Sequence, residues 1–361
     1  MANFDDLAMA VAAFGPNNKV ILDDIGLPSV MVGVPKMKYS DVITGGSQET
    51  LPWWIVDQVE KEVIWVSKFP NVVKHDRAYS LPALDPRASI NFDTALAACR
   101  KKGNGWHLNQ NGVFAALTLW SQKNQTVPRG NTNWGQSYTH PHERGLTTYV
   151  DPAYSDGRGG RTATGSGPVT WYHDHSPAGI ADLCGNVWEW VSGMRLMDGE
   201  IQIIPYGNAM KSTCSMAADS TEWKAIMPDG TLVNPGTEGT LKIDLKTAGA
   251  NPQINTTLTN VSSGEQWPSL PFKDLAAASG VAIPKILIAM GMFKEESATY
   301  GGDRFYARND GERLPCRGSG FSYTSSGGAS AVGLSYPRSG VYSSIGFRSA
   351  CYVKYCQPIT E

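Results

Sequence analysis

Several things are scarce in this chain, and each scarcity excludes something. Basic residues are not in excess: 31 Lys and Arg stand against 33 Asp and Glu, a formal net charge of -2. Binding nucleic acid through counterion release needs a basic field or a Lys/Arg run. This chain has neither, so no nucleic-acid partner is expected. Long apolar runs are missing too. The longest, ILIAMGMF at 286–293, falls far short of the roughly 20 residues of a membrane-spanning helix. The first residues, MANFDDLAMAVAAFGPNN, hold two early aspartates and no basic segment, so neither a signal peptide nor membrane insertion is expected. Cysteine is sparse: Cys99, Cys184, Cys214, Cys316, Cys351 and Cys356 are too scattered for a zinc ribbon and too few for a disulfide scaffold. Free, mostly buried thiols are expected. The glycine-rich YSDGRGGRTATGSGP lacks the Lys-Ser/Thr ending of a phosphate-binding loop, and no internal repeat is apparent.

What is present supports a folded, loop-rich protein. Hydrophobic residues make up 41% of the 361 positions and there are 11 tryptophans, ample for a core. Thirty-eight glycines and 22 prolines separate short apolar stretches, which points to short elements and long connections. The length would fit two domains or one large sheet-rich domain with an insertion. Residues 1–27 read as a short lead-in, and PSVMVGVP, LPWWIVDQV and VIWVS between 27 and 66 read as strands. INFDTALAACRKKG predicts a helix, with Ala95, Leu96, Ala98 and Cys99 at helical spacing, Asn91 or Asp93 as cap and Gly103 as stop. NQNGVFAALTLWSQKN predicts a second helix through Val113, Leu117 and Trp120. A stretch from about 211 to 288 reads as an insertion, with hairpin signals in AIMPDGTLV and PGTEGTLKIDL. SIGFRSACYVKYC closes the chain as β-rich sequence.

Three motifs invite chemistry. His140-Pro-His142 and His173-Asp-His175 would place imidazoles on one face of a strand, but they lie in loop-like sequence with no third ligand at metal spacing; metal content is left open. GNVWEW sets Glu189 between Trp188 and Trp190. A carboxylate among indoles could be a general acid with a raised pKa, but it serves better as a structural clamp accepting N–H bonds. Cys351 and Cys356 could be a redox pair, yet on one strand residues five apart face opposite sides, so unpaired thiols are expected there.

Residues 318–344, GSGFSYTSSGGASAVGLSYPRSGVYSS, hold nine serines, six glycines and three tyrosines, with Arg338 as the only charge. A Ser/Gly linker would be bland, whereas this stretch interleaves Phe321, Ala331, Val332, Leu334, Val341 and Ile345 as inward anchors. Tyrosine offers large, stiff contact area at low entropy cost, and Ser and Gly adapt around it, which is the mix of antibody-like combining sites.

INFDTALAACRKKGNGWHL, GIADLCGNVWEW, LPCRGSGF and the terminal IGFRSA together resemble the formylglycine-generating-enzyme branch of the C-type lectin fold. The likeness spans about 28–361 with the insertion between. The enzymes of that branch carry a cysteine pair between RG and GFR, but residues 317–348 here contain no cysteine, so that catalysis is not expected. The register from Arg317-Gly318 to Ile345-Gly346-Phe347-Arg348 is instead similar to variable proteins of diversity-generating retroelements, including phage tail-tip receptor binders. In those, adenine-directed mutagenesis yields Ser, Gly, Tyr, Asn, Asp and Thr at chosen positions. The resemblance implies a variable region over about 318–348. Its ligand-binding positions are Ser322, Tyr323, Ser325, Ser326, Ser330, Gly333, Ser335, Tyr336, Gly340, Tyr342, Ser343 and Ser344.

The expected architecture is therefore α+β, a loop-rich C-type lectin fold of the formylglycine-generating-enzyme type, with two helices on a twisted, mostly antiparallel sheet. The expected function is non-catalytic ligand binding at a phage tail tip, without a cofactor, toward a host-cell surface protein or glycan, from a possible trimer. The alternative is an oxidase of the same fold, or a small-molecule binder using a cleft near Trp188.

Overall fold

A computed structural model describes residues 4–352. The chain is mixed α+β, mostly sheet with few helices. Both expected helices form. Phe92–Arg100 starts where Asn91 turns its side chain onto the helix, its Oδ1 accepting from the Thr94 amide at 2.9 Å. It buries Ala95, Leu96, Ala98 and Cys99. Asn111–Lys123 is buried along most of its length, including Val113 and Leu117. Shorter helices, Asp5–Ala12, Tyr39–Val42 and Lys285–Ala289, bury Val11, Val42, and Leu287 with Ala289.

Two main sheets carry the fold. The first has five strands in the order Asn18–Leu22, Pro28–Pro35, Val63–Ser67, Ser349–Cys351 and Trp106–Leu108, all antiparallel. The segment read as a lead-in thus contains a helix and the edge strand, paired along its full length with Pro28–Pro35. The strand after IGFR lies inside the sheet, between Val63–Ser67 and Trp106–Leu108.

The second sheet has twelve strands among the described residues. At its heart Glu312–Arg317 lies antiparallel to Val332–Tyr336, with Cys316 opposite Gly333, and antiparallel to Trp188–Trp190, with Arg317 opposite Glu189. Arg304–Ala307 runs parallel to Val332–Tyr336, and Ile345–Phe347 runs parallel to Trp188–Trp190. The motifs recognised in the sequence are therefore neighbouring strands.

Within 211–288, AIMPDGTLV forms the expected hairpin: Ala225 pairs with Val233, and Asp229 Oδ1 accepts from the Thr231 amide at 2.8 Å. The second hairpin turns later than expected. Lys242–Thr247 folds back on Ala250–Asn255 around Ala248-Gly249, and Gly249 has φ +77°. Of the two turn residues only Gly249 has a positive φ, which glycine adopts without strain.

Cys351 is disulfide-bonded, which corrects the free-thiol expectation. Cys351 closes the strand Ser349–Cys351, and Cys356 lies outside the described residues. Cys99, Cys184, Cys214 and Cys316 are free and buried.

Candidate ligand pocket

A buried ionic frame stands behind the site. Glu189 and Arg348, 159 residues apart, meet in the interior: Arg348 Nε donates to Oε2 and Nη2 to Oε1, each at 2.5 Å. Arg348 also donates from Nη1 to the Ser67 carbonyl at 3.1 Å and from Nη2 to the Ala181 carbonyl at 3.0 Å. It thus ties the first sheet to the second. Burial pushes the Glu189 carboxyl up against the pull of Arg348. Glu189 is a clamp, as expected, but its partner is a guanidinium; the flanking Trp190 Nε1 donates to the Ile90 carbonyl instead.

Arg317 is also buried and donates from Nη1 to the Gly291 carbonyl at 2.9 Å. Its neighbour Gly318 has φ +85°, and a Cβ there would lie 2.6 Å from the Leu183 carbonyl oxygen. Gly346 is constrained by closeness alone, since a Cβ would meet the Arg87 carbonyl oxygen at 2.6 Å. Both motif glycines are where the chain passes too close to another backbone for a side chain.

On this frame stands an aromatic pocket of about 370 Å³. Trp188, Tyr306 and Tyr323 form one wall, all edge-to-face, with centroids 5.1 Å apart for Trp188–Tyr323, 5.9 Å for Tyr306–Tyr323 and 6.2 Å for Trp188–Tyr306. Tyr336, Trp267 and Tyr342 form the other, with Tyr336 4.7 Å from Tyr342 and 5.7 Å from Trp267. The Tyr323 and Tyr336 hydroxyls, 3.3 Å apart, join the walls. Gly333 and Ser335, two apart on one strand, complete the lining. Burial raises the Tyr323 and Tyr336 phenols and takes Tyr306 to about 12, so all three stay neutral.

Of the twelve sequence-predicted positions, Tyr323, Gly333, Ser335, Tyr336 and Tyr342 line this pocket. Ser325 and Ser343 are exposed, and Ser322, Ser326 and Ser344 are half-buried outside it. Ser330 and Gly340 are buried; the Ser330 amide donates to Asp303 Oδ2 at 2.8 Å. Among the expected anchors, Phe321, Ala331, Val332, Leu334 and Ile345 are buried, but Val341 is 53% exposed. It sits in the connection between strands, where strand alternation does not apply.

The connection from Pro337 to Ser344 is held mainly by its backbone. The carbonyls of Tyr342 and Ser344 accept from the Ser89 and Trp188 amides at 3.0 and 2.8 Å, and that of Ser343 from Arg161 Nη1 at 2.8 Å. Arg338, the one charge, pairs with Glu312 and Asp93. None of these ties uses a side chain from the twelve positions.

Two lining residues came from outside the predicted set: Tyr306, and Trp267 from the region read as an insertion. Neither had a sequence signal beyond being aromatic. Trp188 lines the pocket as the small-molecule alternative anticipated.

The histidine pairs are engaged locally. His173 Nδ1 accepts from the Ile180 amide at 2.9 Å, and His175 Nε2 lies 3.1 Å from the Val127 carbonyl. Among the described residues no group of three His, Cys, Asp or Glu side chains could hold a metal ion. Burial raises all four free thiols, Cys214 to about 11 and the others further, so none is a thiolate near neutral pH. No helix of the described residues is long and apolar enough to cross a membrane.

No family model matches the chain, and no curated protein matches it. Solved structures similar to it include Treponema denticola variable protein 1, at 11% identity over 94% of this chain and 100% of that one, TM-score 0.34. The P3c variant of the Major Tropism Determinant is similar at 11% identity over 92% and 71%, TM-score 0.31. PvdO from Pseudomonas aeruginosa is similar at 13% identity over 90% and 95%, TM-score 0.28. The site's own geometry carries the functional reading.

Proposed function

We propose that this chain is a non-catalytic ligand-binding protein of the C-type lectin fold, formylglycine-generating-enzyme type, and that the aromatic pocket is its binding site. The observation that carries this is the separation of tasks. Backbone carbonyls and residues outside the twelve positions fix the Pro337–Ser344 connection, while Tyr323, Tyr336 and Tyr342 present rings to an open cavity. Side chains that the loop does not need for its shape can be exchanged, which is what diversification by a retroelement requires. On this reading the remaining variable positions, Ser322, Ser325, Ser326, Ser343 and Ser344, adapt the fit around the pocket. The protein acts at a phage tail tip in attachment to a host-cell surface protein or glycan. A trimer there would multiply weak contacts by avidity.

Replacing Tyr323, Tyr336 and Tyr342 together with alanine tests this. Pulldown from the host surface fraction should be lost while circular dichroism still shows a folded chain; retained pulldown would refute the site. An adenine-rich near-copy of the codons for 318–344 beside a reverse-transcriptase gene would support the diversification. An oxidase of the same fold that depended on a thiol would need a reactive thiolate, and the four free thiols are buried and protonated; thiol labelling of the native protein should be slow at all four.

A further inference from the structure

The pocket lining divides into two groups of residues. Tyr323, Gly333, Ser335, Tyr336 and Tyr342 belong to the twelve positions of the variable region, whereas Trp188, Tyr306 and Trp267 do not. Trp188 is buried and Tyr306 half-buried. Trp267 differs from both: it is 52% exposed, and its ring lies 5.7 Å from that of Tyr336.

The backbone on either side of Trp267 is tied down by residues that also lie outside the twelve positions. Arg308 donates from Nη1 to the Gly264 and Gln266 carbonyls at 2.7 and 3.1 Å. Its guanidinium is held in turn by Asp310, Nε to Oδ1 at 2.9 Å and Nη2 to Oδ2 at 2.8 Å. After Trp267, the Pro268 carbonyl accepts from the Ala307 amide at 3.0 Å, and Ser269–Pro271 pairs antiparallel with Arg304–Ala307, Ser269 opposite Tyr306. Pro268 itself narrows the backbone choices of the residue before it. Exchange of Tyr336 would therefore remove a ring contact from Trp267 and leave the ties that position it.

An indole left half in water forgoes part of the stabilisation that burial would give. Singly exposed apolar side chains are ordinary, but Trp267 is not single. Through Tyr336 it adjoins Tyr342, 37% exposed, and both border the cavity. A large ring on an ordered backbone has little freedom left to lose on contact, and tryptophan is among the residues that dominate binding energy.

On the strength of the binding reading above, we propose that Trp267 is the fixed anchor of the pocket, contacting whatever ligand the variable positions select. The segment read as an insertion, 211–288, thereby supplies part of the binding site. Redrawing Tyr323, Tyr336 and Tyr342 changes which ligand fits, and Trp267 contributes a share of the affinity common to every draw.

The full chain should be displayed as a library with the twelve positions randomised among Ser, Gly, Tyr, Asn, Asp and Thr, and selected for binding to purified lysozyme as the probe. Trp267→Ala is then introduced into selected binders of unrelated sequence. Titration of lysozyme should show binding weakened about tenfold or more in most of them. Val261→Ala, which alters a similarly exposed side chain of the same segment outside the pocket lining, should leave binding within about twofold, as expected away from a hot spot. Because half of the Trp267 ring is already in water, the denaturation midpoint should hold in Trp267→Ala. If it falls, Trp267→Phe, which keeps a ring, decides the matter with an expected loss of a few-fold. Binding unchanged by both Trp267 variants, or weakened as much by Val261→Ala, overturns the proposal. If binding survives Trp267→Ala but is lost when residues 323, 336 and 342 are set to alanine, the anchor is refuted and the binding site stands. If the library yields no binders, both fail.

Discussion

In the segment from Glu312 to Arg348, the two ends contrast sharply with the stretch between them. Its strands, Glu312–Arg317 and Ile345–Phe347, and the arginine that follows are packed into the interior and bring charge with them: Arg317 and Arg348 are buried, and Arg348 grips Glu189. The stretch between offers neutral rings, hydroxyls and hydrogens toward a cavity. Charge inside and neutrality at the surface reverse the usual distribution. A buried ion pair specifies one arrangement because its partners cannot be separated cheaply, whereas a neutral surface can be rewritten without stranding a charge.

The division is not complete. Tyr323 and Tyr336 also pack against the core around Trp188 and Trp190, so they serve both regions, and Tyr342 at the rim serves only one. The separation of tasks therefore does not extend to Tyr323 and Tyr336.

The comparison can be broken or sharpened by five measurements. The largest effect should come from the frame: Glu189→Ala leaves Arg348 buried and unpaired, and chemical denaturation should show a loss of about 3–5 kcal/mol, enough to unfold a marginal domain. In the pocket, Gly333→Tyr is the sharper test. A Cβ there makes ordinary contact, 3.5 Å from the Trp188 ring, so the larger side chain should fill the cavity and abolish ligand binding with the fold retained. Single alanine variants of Tyr323, Tyr336 or Tyr342 should each cost about 1–2 kcal/mol of binding, with Tyr342→Ala alone leaving the denaturation midpoint near that of the parent.

Next is a pH effect. Burial raises the Asp303 carboxyl to about 7, against about 3.9 in an unfolded chain. Between those values the folded protein holds a proton that the unfolded chain has released, so stability falls as pH rises from about 4 to 7. Asp303→Asn should remove that part of the slope in denaturation midpoints taken across the window. The smallest effects belong to the exposed serines. Ser325→Asn and Ser343→Asn should change stability by no more than about 0.5 kcal/mol.

How far the sequence revealed this structure depended on how local each signal was. The cap at Asn91, the helical spacing of the following residues and the Asp229-Gly230 turn act over a few residues, and they were legible. The edge strand Asn18–Leu22 was missed because it follows a short helix and gains its stability from pairing with Pro28–Pro35. The Glu189–Arg348 pair could not be read from spacing, since its members are 159 residues apart, although both lie in motifs that drew attention. Tyr323, Tyr336 and Tyr342 stood out by composition. Trp267 did not, because nothing in 211–288 indicates that it returns to the site. Val341 is exposed because it lies past the end of the strand Val332–Tyr336, in the connection to Ile345–Phe347.

The most direct test of the central claim is a pair of libraries. In one, the twelve positions from Ser322 to Ser344 are randomised among Ser, Gly, Tyr, Asn, Asp and Thr; in the other, Glu189, Arg317, Gly346 and Arg348 are randomised over the same residues. Both are displayed and sorted for protease-resistant, folded members. Most of the first library should survive, with Gly340 the least tolerant position because a Cβ there would lie 3.1 Å from the Pro337 carbonyl oxygen, and almost none of the second should. Collapse of the first library to the parental residues would contradict the account.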